Sequence, residues 1–300
     1  MLKIAWSPEY VHPLPSGHRF PMEKYELLPE QLIYEGTLSP SNFFKPNALP
    51  EQSITRIHDS VYWEKLKTLT LSRSEERATG FPLSQALVKR ETLIVGGSVQ
   101  AAQFALVDGI AMNIAGGTHH AFTNRGEGFC LLNDIALAAD FLISSGLAKH
   151  VLVVDLDVHQ GNGTAEIFRN RADVFTFSMH GEKNYPHRKE KSDLDVELPD
   201  GIGDEDYLKL LEKQLPQLIE NFEPDFIIYQ SGVDVLKTDK LGRLGMSVEG
   251  VYRRDHFVLT QAKRNKIPVM CCMGGGYSPQ MRHIIDAHAQ VYRLAQELFF

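Results

Sequence analysis

The chain has 300 residues, 43% hydrophobic and 23% charged, a balance that fits a soluble globular enzyme and excludes a disordered or fibrous protein. Its formal charge of −7 comes without a dense Lys/Arg run, which argues against direct nucleic-acid binding and favours a basic or neutral substrate. No stretch approaches the roughly 18 apolar residues of a membrane span. The opening Met1–Trp6 is too short for a signal peptide, and Cys130, Cys271 and Cys272 form no C-x-x-C pair, so a cytoplasmic location is expected.

Taken in order, residues 2–6 predict a first strand, and a helix opens at 20–25 after a loop holding three prolines, His12 and His18, which read as connection. Asp59 and Ser60 can cap a helix that runs on towards 71, whereas 73–81, with mixed charges and Gly80, reads as an exposed loop. Pro82 to Asp108 reads as one long amphipathic helix. The Gly96-Gly97 pair inside it costs about 1 kcal/mol per glycine against Ala, so close packing or a kink is expected there. Strands at 109–115, 151–154, 174–178, 225–230 and 268–272 then alternate with helices at 134–145, 164–168, 205–221, 248–264 and at the end of the chain, while the stretch up to 203 reads as a long loop. This alternation, with no repeat and no linker, predicts a single α/β domain over 1–300, with a mostly parallel sheet and helices on both faces.

In such sheets ligands bind outside the carboxyl ends of the strands. The apolar Val151–Val154 run ends in Asp155, Asp157 and His159 at every second position, and strand periodicity would point all three the same way. Three ionisable groups there are costly unless a cation compensates them; the plainer alternative is a βα turn with a surface acidic pair. Three further strand ends are polar: His119-His120 after Gly116-Gly117, Asp234 after Ser231-Gly232, and Tyr277 after Gly274–Gly276. Asp157, His159 and Asp234 would offer two carboxylates and an imidazole with a position left open, the pattern of a catalytic metal centre that acidifies a water. Zn2+ suits this set best, and Fe2+ or another divalent ion is also compatible. One of His119 and His120 could act as general base and acid while the other orients or polarises the water, unless both are core or capping residues. Tyr277 could aim its hydroxyl at an oxyanion, although Gly-Gly-Gly-Tyr alone is more often a tight turn.

Together, Gly116-Gly117-Thr118-His119-His120-Ala121, Gly128-Phe129-Cys130, Asp155-x-Asp157-x-His159-x-Gly161-x-Gly163, Ser231–Asp234 and Gly274–Tyr277 resemble the zinc-dependent histone deacetylase superfamily, most of all its class IV branch and the bacterial relatives of that branch. The resemblance implies an arginase/deacetylase-like fold and hydrolysis of an acyl-lysine or related amide. It implies Asp157, His159 and Asp234 as zinc ligands, His120 as general base and acid, His119 as its electrostatic partner and Tyr277 as the hydroxyl on the carbonyl oxygen. Asp155 would orient His119 and help hold a structural K+ with the Ser178 hydroxyl and the carbonyls of Asp157, His159 and Met179. Phe129 and Tyr185 would wall the acyl-lysine tunnel, Gly128 would offer its carbonyl, and Leu241 and Gly275 would also contact substrate. Arg19 would match an arginine near the acetate exit.

One departure stands out: Asn162 occupies the place where many members carry an aspartate behind the second histidine, so His120 should hold a proton less tightly. Some relatives with this spelling prefer longer acyl chains, which leaves acetyl and longer acyl groups both open. The expected partner is an acylated lysine of a protein or peptide, or an acylated small amine. A catalytically silent acyl-lysine-binding scaffold and a dimanganese ureohydrolase of the same broad fold are the competing readings; the second needs more bridging carboxylates than appear. Oligomeric state is not legible.

Overall fold

The computed structural model describes residues 1–300. Its centre is one eight-stranded sheet of β1 (Lys3–Ala5), β2 (Phe43–Phe44), β3 (Ile110–Asn113), β4 (Val151–Asp155), β5 (Val174–Gly181), β6 (Leu194–Leu198), β7 (Phe226–Gln230) and β8 (Val269–Cys272), in the order β2-β1-β3-β8-β7-β4-β5-β6. Every ladder is parallel. The sequences explain why. IAMN, VLVVD, FIIYQ and VMCC are buried at every position, as strands covered on both faces must be.

The helices are α1 (Lys24–Tyr34), α2 (Glu51–Ile54), α3 (Ser60–Thr68), α4 (Arg73–Thr79), α5 (Gln85–Asp108), α6 (Asp134–Ser144), α7 (Asn162–Phe168), α8 (Asp204–Phe222), α9 (Val248–Arg264) and α10 (Met281–Phe299). α5 packs on α6 and α6 on α7, while α1, α10, α9 and α8 form a second packed row. A contiguous cluster of 82 buried residues joins these helices to the sheet, which makes one core and not two.

Four local expectations change. The stretch 73–81 is mostly helical, because Ser72 and Glu75 form a reciprocal capping box in which the Ser72 amide donates to Glu75 at 2.7 Å. The long loop before residue 203 contains β6, an edge strand buried only at Leu198 and therefore without an apolar signature. α1 starts at Lys24, leaving Pro21 ahead of it. Strand β4 stops at Asp155, so alternation does not aim the residues beyond it. Instead Asp155 accepts from the Asp157 amide (3.2 Å) and Asp157 from the His159 amide (3.0 Å), a chain of Asx-type turns.

The glycine pair in α5 marks close packing. A Cβ on Gly96 would lie 1.9 Å from the Asn47 carbonyl oxygen, and one on Gly97 would lie 2.5 Å from the Tyr10 hydroxyl. Helix propensity alone would make Gly96→Ala stabilising by about 1 kcal/mol. The contact reverses that sign: thermal unfolding should show a loss of about 1–3 kcal/mol, a Tm lower by several degrees.

Candidate active site and metal centre

The sheet order places β3, β8, β7 and β4 side by side, so the four polar segments that follow them must converge. Backbone bonds stitch the ends together: Ser231 N–H donates to Cys272 O (3.1 Å), Val233 N–H to Gly275 O (2.8 Å), and Thr164 N–H to His119 O (3.1 Å). Below them the fully buried Arg254 guanidinium of α9 donates to the carbonyls of Leu156 (3.2 Å), Gly232 (2.7 Å) and Ser231 (3.3 Å). That one side chain satisfies loop carbonyls that would otherwise be buried without donors.

Asp157, His159 and Asp234 come together as a buried triad whose candidate ligand atoms lie within 4.8 Å of one another. His159 Nδ1 is 3.0 Å from Asp157 Oδ1 and 3.0 Å from Asp234 Oδ2. The outward carboxylate oxygens are already committed, Asp157 Oδ2 to the Gly275 amide (2.9 Å) and Asp234 Oδ1 to the Val158 amide (2.9 Å). Asp234 Oδ2 is different. It is buried and has no hydrogen-bond donor, because the His159 nitrogen is near it but outside bonding geometry. An orphaned carboxylate oxygen facing an imidazole and a second carboxylate fits a divalent cation. Without one, burial and the neighbouring Asp157 charge push Asp234 up to about 7. Burial opposes a charge on His159, yet the carboxylates of Asp234 and Asp157 raise it nevertheless. Gly232 and Gly275 leave the space this needs: a Cβ would fall 2.3 Å from Asp157 Oδ2 and 2.1 Å from Asp234 Oδ2 respectively.

The two histidine rings lie with centroids 4.1 Å apart at a tilt of 46°, each tied through Nδ1: His119 to Asp155 Oδ2 (2.7 Å), His120 to Asn162 Oδ1 (2.6 Å). Both Nδ1 atoms donate to these oxygens, so Nε2 is the nitrogen at which each ring gains or loses its second proton. Burial disfavours charge on either ring. For His119 the carboxylates of Asp155 and Asp157 outweigh that and raise its proton affinity. For His120, burial and the neighbouring His119 and His159 lower it well below the ordinary value. Tyr277 faces the same space, its ring 6.5 Å from that of His159. Burial and the Asp234 and Asp157 charges hold its hydroxyl protonated, ready to donate.

A cavity of about 210 Å³ leads outward from these groups, lined by Arg19, Ala78, His120, Gly128, Phe129, His159, Tyr185, Leu241 and Tyr277. Helix α4, unread in the sequence, builds one wall: the carbonyls of Ala78 and Thr79 accept from the amides of Gly128 (3.0 Å) and Phe129 (2.7 Å) and hold Phe129 at φ 69°. The Tyr185 ring stands edge-on to His120 at 4.9 Å, and its hydroxyl donates to Glu127 (2.6 Å). Arg19 lies over the Phe129 ring at 5.1 Å and lines this outer tunnel. The inner cavity, of about 30 Å³, is lined by Arg90 and Gly275 and not by Arg19. Gly275 meets that inner space, and its amide donates to Asp157 of the Asp157–His159–Asp234 triad. Ser178 is the cross-strand partner of Asp155 and is hydrogen-bonded to His180 Nδ1 (2.9 Å); Met179 follows it on β5.

Some residues escaped the sequence reading. Asp239 accepts from the amides of Tyr277 (2.6 Å), Leu241 (2.8 Å) and Gly242 (2.9 Å), coupling the tyrosine turn to the tunnel wall. Lys24 is buried, donates to Gly274 O (3.0 Å) and sits 5.5 Å from the Tyr277 ring centre. Nothing local marks either; a buried lysine at the start of a helix looks like any surface lysine in sequence. Glu127 did carry a signal, being flanked by Gly126 and Gly128.

In this parallel α/β sheet, adjacent strand ends assemble an Asp-His-Asp triad able to hold a metal ion, two tethered histidines and a tyrosine at the floor of a tunnel, an arrangement of the hydrolase kind. A family model for the histone deacetylase domain matches residues 18–292, and the chain belongs to the histone deacetylase family. It is 42% identical over 297 residues to an uncharacterized protein of Picosynechococcus sp., covering 99% of both chains. It is 31% identical over 277 residues to Histone deacetylase 2 of Arabidopsis thaliana (89% of this chain, 72% of that one), and 28% identical to human Histone deacetylase 1 (87% and 58%). The crystal structure of the HDA15 HD domain shares the fold, with a TM-score of 0.83 at 22% identity, covering 99% of this chain and 88% of that one.

Because protons and a cation compete for the same triad, Zn2+ titrated into metal-free protein should raise Tm, and its affinity should fall as pH is lowered through 7. Gly275→Ala, whose Cβ meets Asp234 Oδ2, should weaken that affinity by about tenfold or more while leaving far-UV circular dichroism unchanged.

Proposed function

We propose that the chain is a zinc-dependent amidohydrolase that removes a short acyl group from acyl-lysine in a protein or peptide, or from a related acylated amine. The observation that carries this is the orphaned Asp234 oxygen in the triad at the floor of a tunnel walled by Phe129 and Tyr185. Asp157, His159 and Asp234 would hold the ion. When bound, it supplies Lewis acidity to the amide carbonyl and lowers the pKa of a water.

The chain's own groups account for the rest. The tunnel holds the apolar lysine stem and excludes water along it, with the Gly128 carbonyl near the substrate amide. His120, neutral and with Nε2 free, takes the proton of the attacking water and returns it to the leaving amine. His119, held by Asp155, keeps positive charge close by. The Tyr277 hydroxyl donates to the developing oxyanion. The inner cavity of about 30 Å³ accommodates an acetyl-sized group and favours short acyl chains over long ones. A structural K+ among Asp155, Ser178 and the carbonyls of Asp157, His159 and Met179 belongs to the same proposal, supported by the Asp155–Ser178 register. The structure groups one three-ligand cluster, which favours a single-ion centre over a dimanganese ureohydrolase. We place the protein in the cytoplasm on its three buried, unpaired thiols; no helix is long and apolar enough to cross a membrane.

Steady-state kinetics on an acetyl-lysine peptide should show kcat lowered by about 10²–10⁴ in His120→Ala and Tyr277→Phe, with KM little changed. Activity surviving both would refute the mechanism. Asn162→Asp places a carboxylate on His120 Nδ1–H and stabilises the imidazolium, so the base needs a higher pH to lose its proton. The acid limb of the kcat/KM profile should then move up by about 1 pH unit.

A further inference from the structure

The net charge of −7 is not shared by the tunnel mouth. Arg19 lines the mouth itself, and Arg77 precedes Ala78, which lines it too. Arg73 and Arg77 border the adjoining depression with Glu76, His18 and Phe81. Lys183 and Arg188 flank the wall residue Tyr185 by two and three positions, and Lys240 precedes Leu241. The two loops are tied together, since the Asn184 side chain donates to Leu241 O at 2.7 Å. All six of these cations are exposed, and none has a carboxylate within ion-pair distance, although neighbouring Arg125 and Arg243 are paired with Glu127 and Asp200. The acids close by are largely spoken for. Glu127 is held by Arg125 and Tyr185, Glu76 accepts from the Leu83 amide (3.0 Å), and Asp239 accepts three backbone amides. Glu182 is exposed and, like Glu76 and Asp239, is in no ion pair, which leaves three acids against the six cations.

Arg19 at the opening, Arg73 and Arg77 in the adjoining depression, and three exposed cations within three positions of the wall residues Tyr185 and Leu241 give this part of an acidic protein an excess of positive charge near the point where substrate enters. We propose that this rim selects acyl-lysines embedded in acidic sequence, so that the preferred substrate is an anionic protein segment and not a basic tail. The proposal rests on the deacylase reading and reverses the expectation that overall charge suggested. A peptide is favoured over other polyanions because the rim surrounds a tunnel shaped for a side chain.

Three acetyl-lysine peptides with acidic, neutral and basic flanks test it, with kcat/KM measured at low and high salt and binding measured by fluorescence anisotropy. The acidic peptide should exceed the basic one by about tenfold or more at low salt, with the gap collapsing as salt screens the rim. Arg77→Glu/Arg188→Glu, checked for an unchanged Tm, should reverse the order. Equal or opposite preference in the wild type overturns the proposal. So does displacement of the acidic peptide by an oligonucleotide of matched charge as effectively as by the unlabelled peptide, which would mark a general polyanion surface. If no peptide is cleaved, the deacylase reading fails, and the anisotropy order still decides the rim.

Discussion

The structure turns on the cost of burying carboxylates together. Asp155, Asp157 and Asp234 lie at the ends of adjacent strands, with Asp234 0% and Asp157 1% exposed. Unpaired, such groups cost several kcal/mol each. The fold answers almost all of that demand with donors of its own: the amides of Asp157, Val158, His159 and Gly275, and the His119 ring. What is left is one oxygen of Asp234, directed towards His159 and Asp157. The chemistry proposed for the chain follows from that remainder.

The surroundings read as consequences of the same constraint. Glycines stand at 232 and 275 because any side chain would enter the space between the carboxylates. Arg254 lies beneath the strand ends because loops that curl around a buried site expose carbonyls to the interior. Asp239 and Lys24 fix the tyrosine turn from two sides. Charge is therefore arranged by depth, with a compensated anionic floor, an aromatic tunnel, and a cationic rim that the total charge of the chain conceals.

Much of this was legible in sequence where local pattern and global structure agree. The apolar runs of β3, β4, β7 and β8 announced buried parallel strands, and the polar residues after each marked the site. What escaped depends on partners distant in sequence. Strand β6 is half exposed and has no apolar run. Helix α4 has a capping box, but its mixed charges looked like a loop, and with it went the scaffold of Phe129. Asp155, Asp157 and His159 did reach one site, though through turns and not through strand alternation. Arg19 stood out, yet its depth along the tunnel is set by packing on Phe129, which no spacing reveals.

The most direct measurement is anomalous diffraction at the zinc edge from crystals of the Zn2+-loaded protein. The account predicts one strong peak bounded by Asp157, His159 and Asp234, within about 2.0–2.2 Å of an oxygen of each aspartate and of the His159 nitrogen. A peak elsewhere, or none at the triad under saturating zinc, would contradict it.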